Sequence, residues 1–382
     1  FATGLYQPLG LKVVDGNIHV VESGQVTRLH DNNADGEADF YENVNNDWHT
    51  GSGEHSYDTG LEADSQGNFW LFKTGDTDTP TGGCLLRVPR DGSPAEVFAT
   101  GFRHPIGIGL SPTGVLSGAD QEGNYMPATR IDFFRRGGFY GDMRAHHRSK
   151  PPTSFDPPLV WLPREADSSA GGQAWVPAGH WGPLGGECLH FSWGRCRLLH
   201  LFTEQVGDVR QGAAVDLGLF FLSGPRCGRF RNEDGHLYVT GLNGWQTAAR
   251  RDGCLQRVRA TGQPFRTLTG WATRPSGVRL TFSTPLDRAA AADPARWTVS
   301  AWNYRWSADY GSRHWSPGNP HRQGEDAWPV DRVDVSADGK SVDLAIRGWR
   351  PVMSVRLKYA LPAAEGPPLA GTVWGTVHAL PR

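Results

Sequence analysis

The sequence predicts an all-β protein: a β-propeller followed by a small sandwich of immunoglobulin-like form. Three observations lead there. A phrase of strand, glycine turn and strand recurs in residues 8–21, 60–72, 104–116 and 230–239, at blade-length periods of about 40–50 residues. Forty-nine Gly, 27 Pro and 15 Trp in 382 residues, with little apolar spacing of helical period, favour turns and strands over helix. Past Pro264 the blade phrase gives way to plain two-residue alternation in 277–282, 296–300, 332–335, 341–346 and 354–359. Five blade-length units are counted, giving a propeller over 1–266 and a sandwich over 270–382.

The hairpin in 53–76 anchors the reading. Its two apolar runs flank the turn Asp64-Ser65-Gln66-Gly67, with His55 before the first and Gly75-Asp76 after the second. Antiparallel strands return to the level at which they began, so an imidazole and a carboxylate emerge at one end.

Taken in order, Phe1-Ala2-Thr3-Gly4 repeats Phe98-Ala99-Thr100-Gly101, the end of a blade's outermost strand. Either this strand closes the ring on a later blade, or a blade precedes it. Asp31, Asn33, Asp35, Asp39 and Glu42 stand at positions 1, 3, 5, 9 and 12 of a loop with Gly36 at 6 and Glu37 at 7, the pattern of an EF-hand-type calcium loop. A solvated acidic turn is the alternative. Gly101-Phe102-Arg103-His104-Pro105 then enters the third blade with Arg103 and His104 where the second blade has His55, and Gly118-Ala119-Asp120 follows as Gly75-Asp76 did. Residues 144–183 read as long rim loops carrying His146-His147, and the Trp-, Tyr- and Arg-rich insertion 304–328 reads as packing against the propeller in preference to a carbohydrate-contacting loop.

A net charge of −2 and a pI near 6.7 argue against nucleic acid or an anionic membrane as a general partner. No run of eighteen or more apolar residues reads as a membrane span. Beginning at Phe1, the chain reads as a processed product, and a periplasmic or secreted location is expected. Its five Cys lack a Cys-x-x-Cys pair and read as small buried residues, with Cys188–Cys227 the one disulfide left open.

With His55, Gly75-Asp76 and Gly101-Phe102-Arg103-His104-Pro105 in place, residues 1–262 resemble the quinoprotein sugar dehydrogenase superfamily, the glucose and sorbosone dehydrogenase propellers that bind pyrroloquinoline quinone (PQQ). They look closer still to the membrane-bound-dehydrogenase-type propellers of planctomycetes and verrucomicrobia, many of which continue into a cytochrome c domain. The resemblance implies six blades and oxidation of a sugar hydroxyl or aldehyde. It implies His55 as general base, Asp76 orienting it and Arg103 stabilising the reduced cofactor. His104 replaces the family's Asn. Glu122 and Gly123 fall where the family has a cofactor-side calcium, Arg195 is nearest to its cofactor-binding Lys, and Arg226 with Arg229 approximates its closing Arg pair. A carbohydrate substrate and a cytochrome c or other electron acceptor are the implied partners.

Two readings from other classes use the same residues. His49, His55, His104, His146 and His147 are candidate ligands of a transition metal if their loops meet at one channel mouth, as in metal-dependent polysaccharide lyases. A propeller that binds glycan or protein without chemistry is the third.

Overall fold

Short runs of β-branched and aromatic residues, broken by Gly and Asp turns, form a series of antiparallel meanders in the computed structural model, which describes residues 1–51, 53, 55–75, 78–362 and 366–382. Blade 1 comprises Gly10–Val14, Asn17–Glu22, Gln25–His30 and Phe40–Asn45. Blade 2 comprises Asp58–Ala63, Phe69–Lys73, Cys84–Val88 and Glu96–Thr100, and blade 3 Pro105–Leu110, Leu116–Asp120, Thr129–Phe133 and Val160–Leu162. Blade 4 follows with Ala170–Trp175, Cys188–Ser192, Arg197–Val206 and Val209–Phe220, and blade 5 has three strands, Gly224–Phe230, Leu237–Leu242 and Gly253–Val258. This is the all-β propeller that the phrasing predicts. Helix is confined to Arg288–Ala291 and three single 3₁₀ turns among the described residues, and none is long and apolar enough to cross a membrane.

Successive blades stack through shared apolar layers. Val21, Leu61 and Leu71 join blades 1 and 2; Phe72, Phe102 and Ile108 join 2 and 3; Ile131, Leu162 and Leu199 join 3 and 4; Phe191, Leu198 and Leu237 join 4 and 5. The inner strands of blades 3 and 4 touch backbone to backbone: a Cβ on Gly107 would lie 2.0 Å from the Cα of Gly172, so only glycine fits there. Among the described residues there are five blades, the number counted in the sequence. Leu11 and Val13 on blade 1 and Leu242 and Leu255 on blade 5 are exposed instead of meeting a neighbour. The first residues do not close the ring either. The Phe1 carbonyl accepts from Ala38 N at 2.7 Å, and Thr3 bonds the Tyr41 hydroxyl, so this segment lies on blade 1.

Beyond blade 5, Leu268–Arg274, Gly277–Phe282, Ser341–Ile346 and Val330–Val335 form one sheet. A second sheet runs Leu369–Val377, Val352–Leu361, Trp297–Trp302 and Asp326–Ala327. Both contribute to one apolar core, with Trp271, Leu280 and Leu344 from the first and Trp297, Leu357 and Val373 from the second. The second sheet is continuous with the propeller, because Leu369–Val377 hydrogen-bonds to Val209–Phe220, the outer strand of blade 4. The cause is strand length. The outer hairpin of blade 4 has strands of 10 and 12 residues, and it carries Phe202, Ala213 and Val215 into the sandwich core. All five cysteines are free thiols, so the Cys188–Cys227 pairing does not occur.

Blade 2 is locked by a fully buried ion pair that the sequence does not advertise. Lys73 Nζ lies 3.4 Å from Asp58 Oδ1 and donates to Ser56 Oγ at 2.7 Å. Asp58 Oδ2 accepts from the Trp48 indole at 3.0 Å and from Gly24 N at 2.5 Å, tying blade 1 and the 45–56 connection to the same carboxylate. Removing one partner strands the other charge out of water, so Lys73→Met is expected to lower unfolding free energy by about 3–5 kcal/mol, measured by urea denaturation. A loss below about 1 kcal/mol would show that the pair contributes no more than an exposed one.

Candidate functional site at the channel mouth

Inner strands enter their blades at one end of the channel, and that end gathers His55, Arg103, His104, Glu122 and Arg226 of the predicted polar residues. His55 precedes the first strand of blade 2, and Arg103 and His104 precede the first strand of blade 3. The rings of His55 and His104 meet edge to face at 5.0 Å between centroids. Their backbones are held by side chains that end the second strand of each blade. The Thr74 hydroxyl accepts from Tyr57 N at 2.8 Å and donates to the His55 carbonyl. Asp120, buried, accepts from Arg103 N at 2.6 Å and from His104 N at 2.8 Å.

Asp120 therefore does for blade 3 something other than the imidazole-orienting role predicted for its counterpart Asp76. It caps two backbone N–H groups, while Gln121 takes the imidazole: the Gln121 amide donates to His104 Nδ1 at 2.6 Å, which leaves the His104 proton on Nε2. Asp76 itself lies outside the described residues.

The mouth is cationic and dry enough to shift titrations. Burial, with His55, Arg103 and Arg226 as neighbours, pushes His104 down to about 3, so it is a neutral imidazole donating from Nε2. Burial raises Asp120 to about 6 against the pull of its two N–H donors. Arg226, on the first strand of blade 5 and packed 5.4 Å from the Trp193 ring centroid, is lowered to about 10 by burial. Among the described residues its guanidinium has neither a hydrogen bond nor an ion pair. Arg103 donates Nη1 to the Glu122 carbonyl at 3.0 Å and has no carboxylate partner there either. Gly123 makes room for it, since a Cβ would stand 2.0 Å from Arg103 Nε. Burial also raises the Glu122 carboxyl.

Other predicted residues fall elsewhere. Arg195 spends its guanidinium on the Arg164 carbonyl, with Nε at 2.8 Å. Arg229 reaches the far end of the channel, pairing with Glu62 at 2.8 Å beside Lys12, so it does not join Arg226. The channel-mouth metal cluster is not formed. His49 is exposed, His146 Nδ1 accepts from Arg148 N at 2.9 Å, and His147 Nε2 donates to the Gly82 carbonyl at 2.5 Å, leaving only His55 and His104 together.

In the acidic loop the carboxylates are spent locally. Asp31 accepts from Asp35 N and Gly36 N, Asp35 from Glu37 N, and Asp39 from Asn32 N and the Asn33 side chain. Glu42, the expected bidentate ligand, turns instead to His30 at 2.7 Å and Arg28 at 3.6 Å. Among the described residues no group of three His, Cys, Asp or Glu side chains is arranged to hold a metal ion. The cleft of about 610 Å³ lined by Trp70, Phe98, Leu116 and Arg210 contains none of the mouth residues.

No protein-family model matches the chain, and no curated protein sequence does. Similar solved structures include a Thermus thermophilus oxidoreductase titled glucose dehydrogenase, at 15% identity and TM-score 0.45, covering 66% of this chain and 97% of that one. The apo soluble aldose sugar dehydrogenase of Escherichia coli is 16% identical with TM-score 0.44, covering 65% and 76%. The PQQ-bound aldose sugar dehydrogenase of Streptomyces coelicolor is 14% identical with TM-score 0.40, covering 67% and 95%.

Two outcomes follow from the mouth's hydrogen bonds. Asp120→Asn offers one acceptor where two N–H groups need one each, so a stability loss of about 1–3 kcal/mol is expected in urea, and no loss would refute the capping role. His104 binds its proton more weakly folded, at about 3, than at its ordinary 6.5, so it withdraws stability as pH falls from 6.5 toward 3. Asp120, raised from 3.8 to about 6, has the opposite sign between those values. His104→Gln should therefore lose less melting temperature than the native chain between pH 6.5 and 3.8, and parallel curves would contradict this.

Proposed function

We propose that the chain is a PQQ-dependent oxidoreductase acting on a sugar hydroxyl or aldehyde, with His55 as general base. The observation that carries this reading is the pair of guanidiniums, Arg103 and Arg226, that lack carboxylate partners among the described residues and flank a neutral imidazole. Cations kept in a poorly hydrated place without counter-ions suit an anionic ligand, and a flat quinone tricarboxylate matches the planar donor forks of arginine. The donor set thus fits the cofactor. Arg103, Arg226 and the Nε2–H of His104 would hold it, and when bound it supplies a hydride acceptor at the mouth.

The chain's own residues handle the proton and the charge. His55, exposed at the mouth, takes the hydroxyl proton on a ring nitrogen as hydride leaves the substrate carbon. Arg103 offsets negative charge that develops beside it, and its position is fixed by Asp120, Gly123 and the Glu122 carbonyl. To Asp76 the reading assigns the orientation of His55. Arg195 and Arg229 have no part in it, being engaged with the Arg164 carbonyl and Glu62. The same reading places the chain outside the cytoplasm and hands its electrons to a cytochrome or comparable acceptor on another module.

With PQQ, an artificial acceptor and a panel of aldoses and uronic acids, His55→Ala is expected to cut turnover by about 10²–10⁴-fold while quinone binding persists. Turnover unchanged in His55→Ala, or absent from the native chain despite bound quinone, counts against the assignment.

A further inference from the structure

Large aromatic side chains are usually kept from water, yet two of them stand open on the rim of this mouth. Trp245 is 81% exposed and Tyr310 is 62% exposed. Each is placed by the fold. Trp245 follows Gly244, whose Cα packs so closely on Trp193 that a Cβ would lie 2.2 Å from that ring, and Trp193 in turn lies over Arg226. Tyr310 comes from the sandwich insertion, which crosses back to blade 3 and is tied there by backbone. Tyr125 N donates to the Ser307 carbonyl at 3.1 Å, Gly311 N to the Gly123 carbonyl at 3.0 Å, and Ser312 N to the Pro127 carbonyl at 2.9 Å. The Trp306 indole adds a bond to the Gly141 carbonyl at 2.8 Å. So held, the Tyr310 ring sits 5.0 Å from the Arg103 guanidinium and leaves its remaining surface to solvent.

Tyr310 thus stands beside Arg103, and Trp245 follows the glycine that packs on Trp193, whose ring lies over Arg226. We propose that the mouth binds an extended saccharide of several residues, with outer sugar rings stacked on Tyr310 and Trp245 and the reacting sugar at His55. This rests on the oxidoreductase reading and names its substrate class. A pyranose offers an apolar C–H face and a hydroxylated edge, which matches a rigid ring that is apolar across its plane and wet at its rim. A monosaccharide at His55 would leave both rings with no partner, whereas a chain of sugars uses the centre and its flanks at once. The insertion thereby serves as more than packing between the two parts of the molecule.

Calorimetric titration of the full chain, without quinone, is the test. Cellohexaose, maltohexaose and a galacturonate hexamer are compared with glucose and galacturonate, and quinone binding is followed separately by its absorbance. One hexamer should bind about tenfold or more tightly than its monomer, and Trp245→Ala and Tyr310→Ala should each weaken that hexamer about tenfold. Tyr310→Phe keeps the ring and should bind like the native chain. Hexamers that bind no better than monomers, or aromatic-deletion variants that bind the hexamer normally, overturn the assignment and leave the quinone reading standing. Absence of quinone binding by the native chain overturns the oxidoreductase reading, and this proposal with it, in a signal of its own.

Discussion

A polar side chain at the end of the second strand of blades 1 to 4, bonded to the chain that leads into the first strand, is the interaction on which the mouth depends. In blade 1 Glu22 accepts from Tyr6 N at 2.8 Å. Thr74 grips His55 and Tyr57 in blade 2, and Asp120 grips Arg103 and His104 in blade 3. In blade 4 Ser192 donates to the Ala166 carbonyl and to Asp167, just ahead of Ala170–Trp175. Loops entering a strand have backbone groups that neither sheet nor bulk water reaches, and buried N–H and C=O groups left alone are costly. This repeated hydrogen bond removes that cost and fixes the entrances of blades 1 to 4. Because the candidate functional residues stand on those entrances, the bond that completes the fold also aims the site.

Among the described residues, the mouth's two guanidiniums, Arg103 and Arg226, have no carboxylate partner. Elsewhere the chain pairs its buried charges: Arg130 with Asp132 and Lys73 with Asp58 are almost wholly enclosed ion pairs. Arg226 breaks that habit: burial lowers its affinity for a proton, and among the described residues it has no carboxylate partner. That contrast is the ground on which Arg226 is proposed as a ligand contact. The neighbouring imidazoles divide by environment, His104 held neutral by burial and His55 open to the entrance, which gives two like groups separate tasks.

The blades were legible because their signals are local: a strand, a turn, a strand, each within a dozen residues. The convergence of His55, Arg103 and His104 was legible for the same reason, since hairpin geometry returns both ends to one level. Asp120 stood in view at the position of Asp76, but whether a carboxylate serves an imidazole or two backbone N–H groups depends on distances no spacing encodes. Glu42 completed a ligand pattern in sequence, yet it lies on a strand opposite Arg28, where cross-strand neighbours claim it. Arg229 is three residues from Arg226, roughly 10 Å along a strand, which sets the two in different surroundings. Tyr310 was beyond reach, because nearly two hundred residues part it from residues 123–127, the connection it docks on.

The central claim is that the two guanidiniums form a seat for an anionic quinone. Its most direct test is equilibrium titration of PQQ into the purified chain, compared with Arg226→Leu and Arg103→Leu and followed by quinone absorbance. The account predicts saturable binding by the native chain and a loss of about tenfold or more in affinity for each variant, with melting temperature preserved for Arg226→Leu because its charge has no partner to strand. Binding that is absent, or that survives both substitutions unchanged, would contradict it.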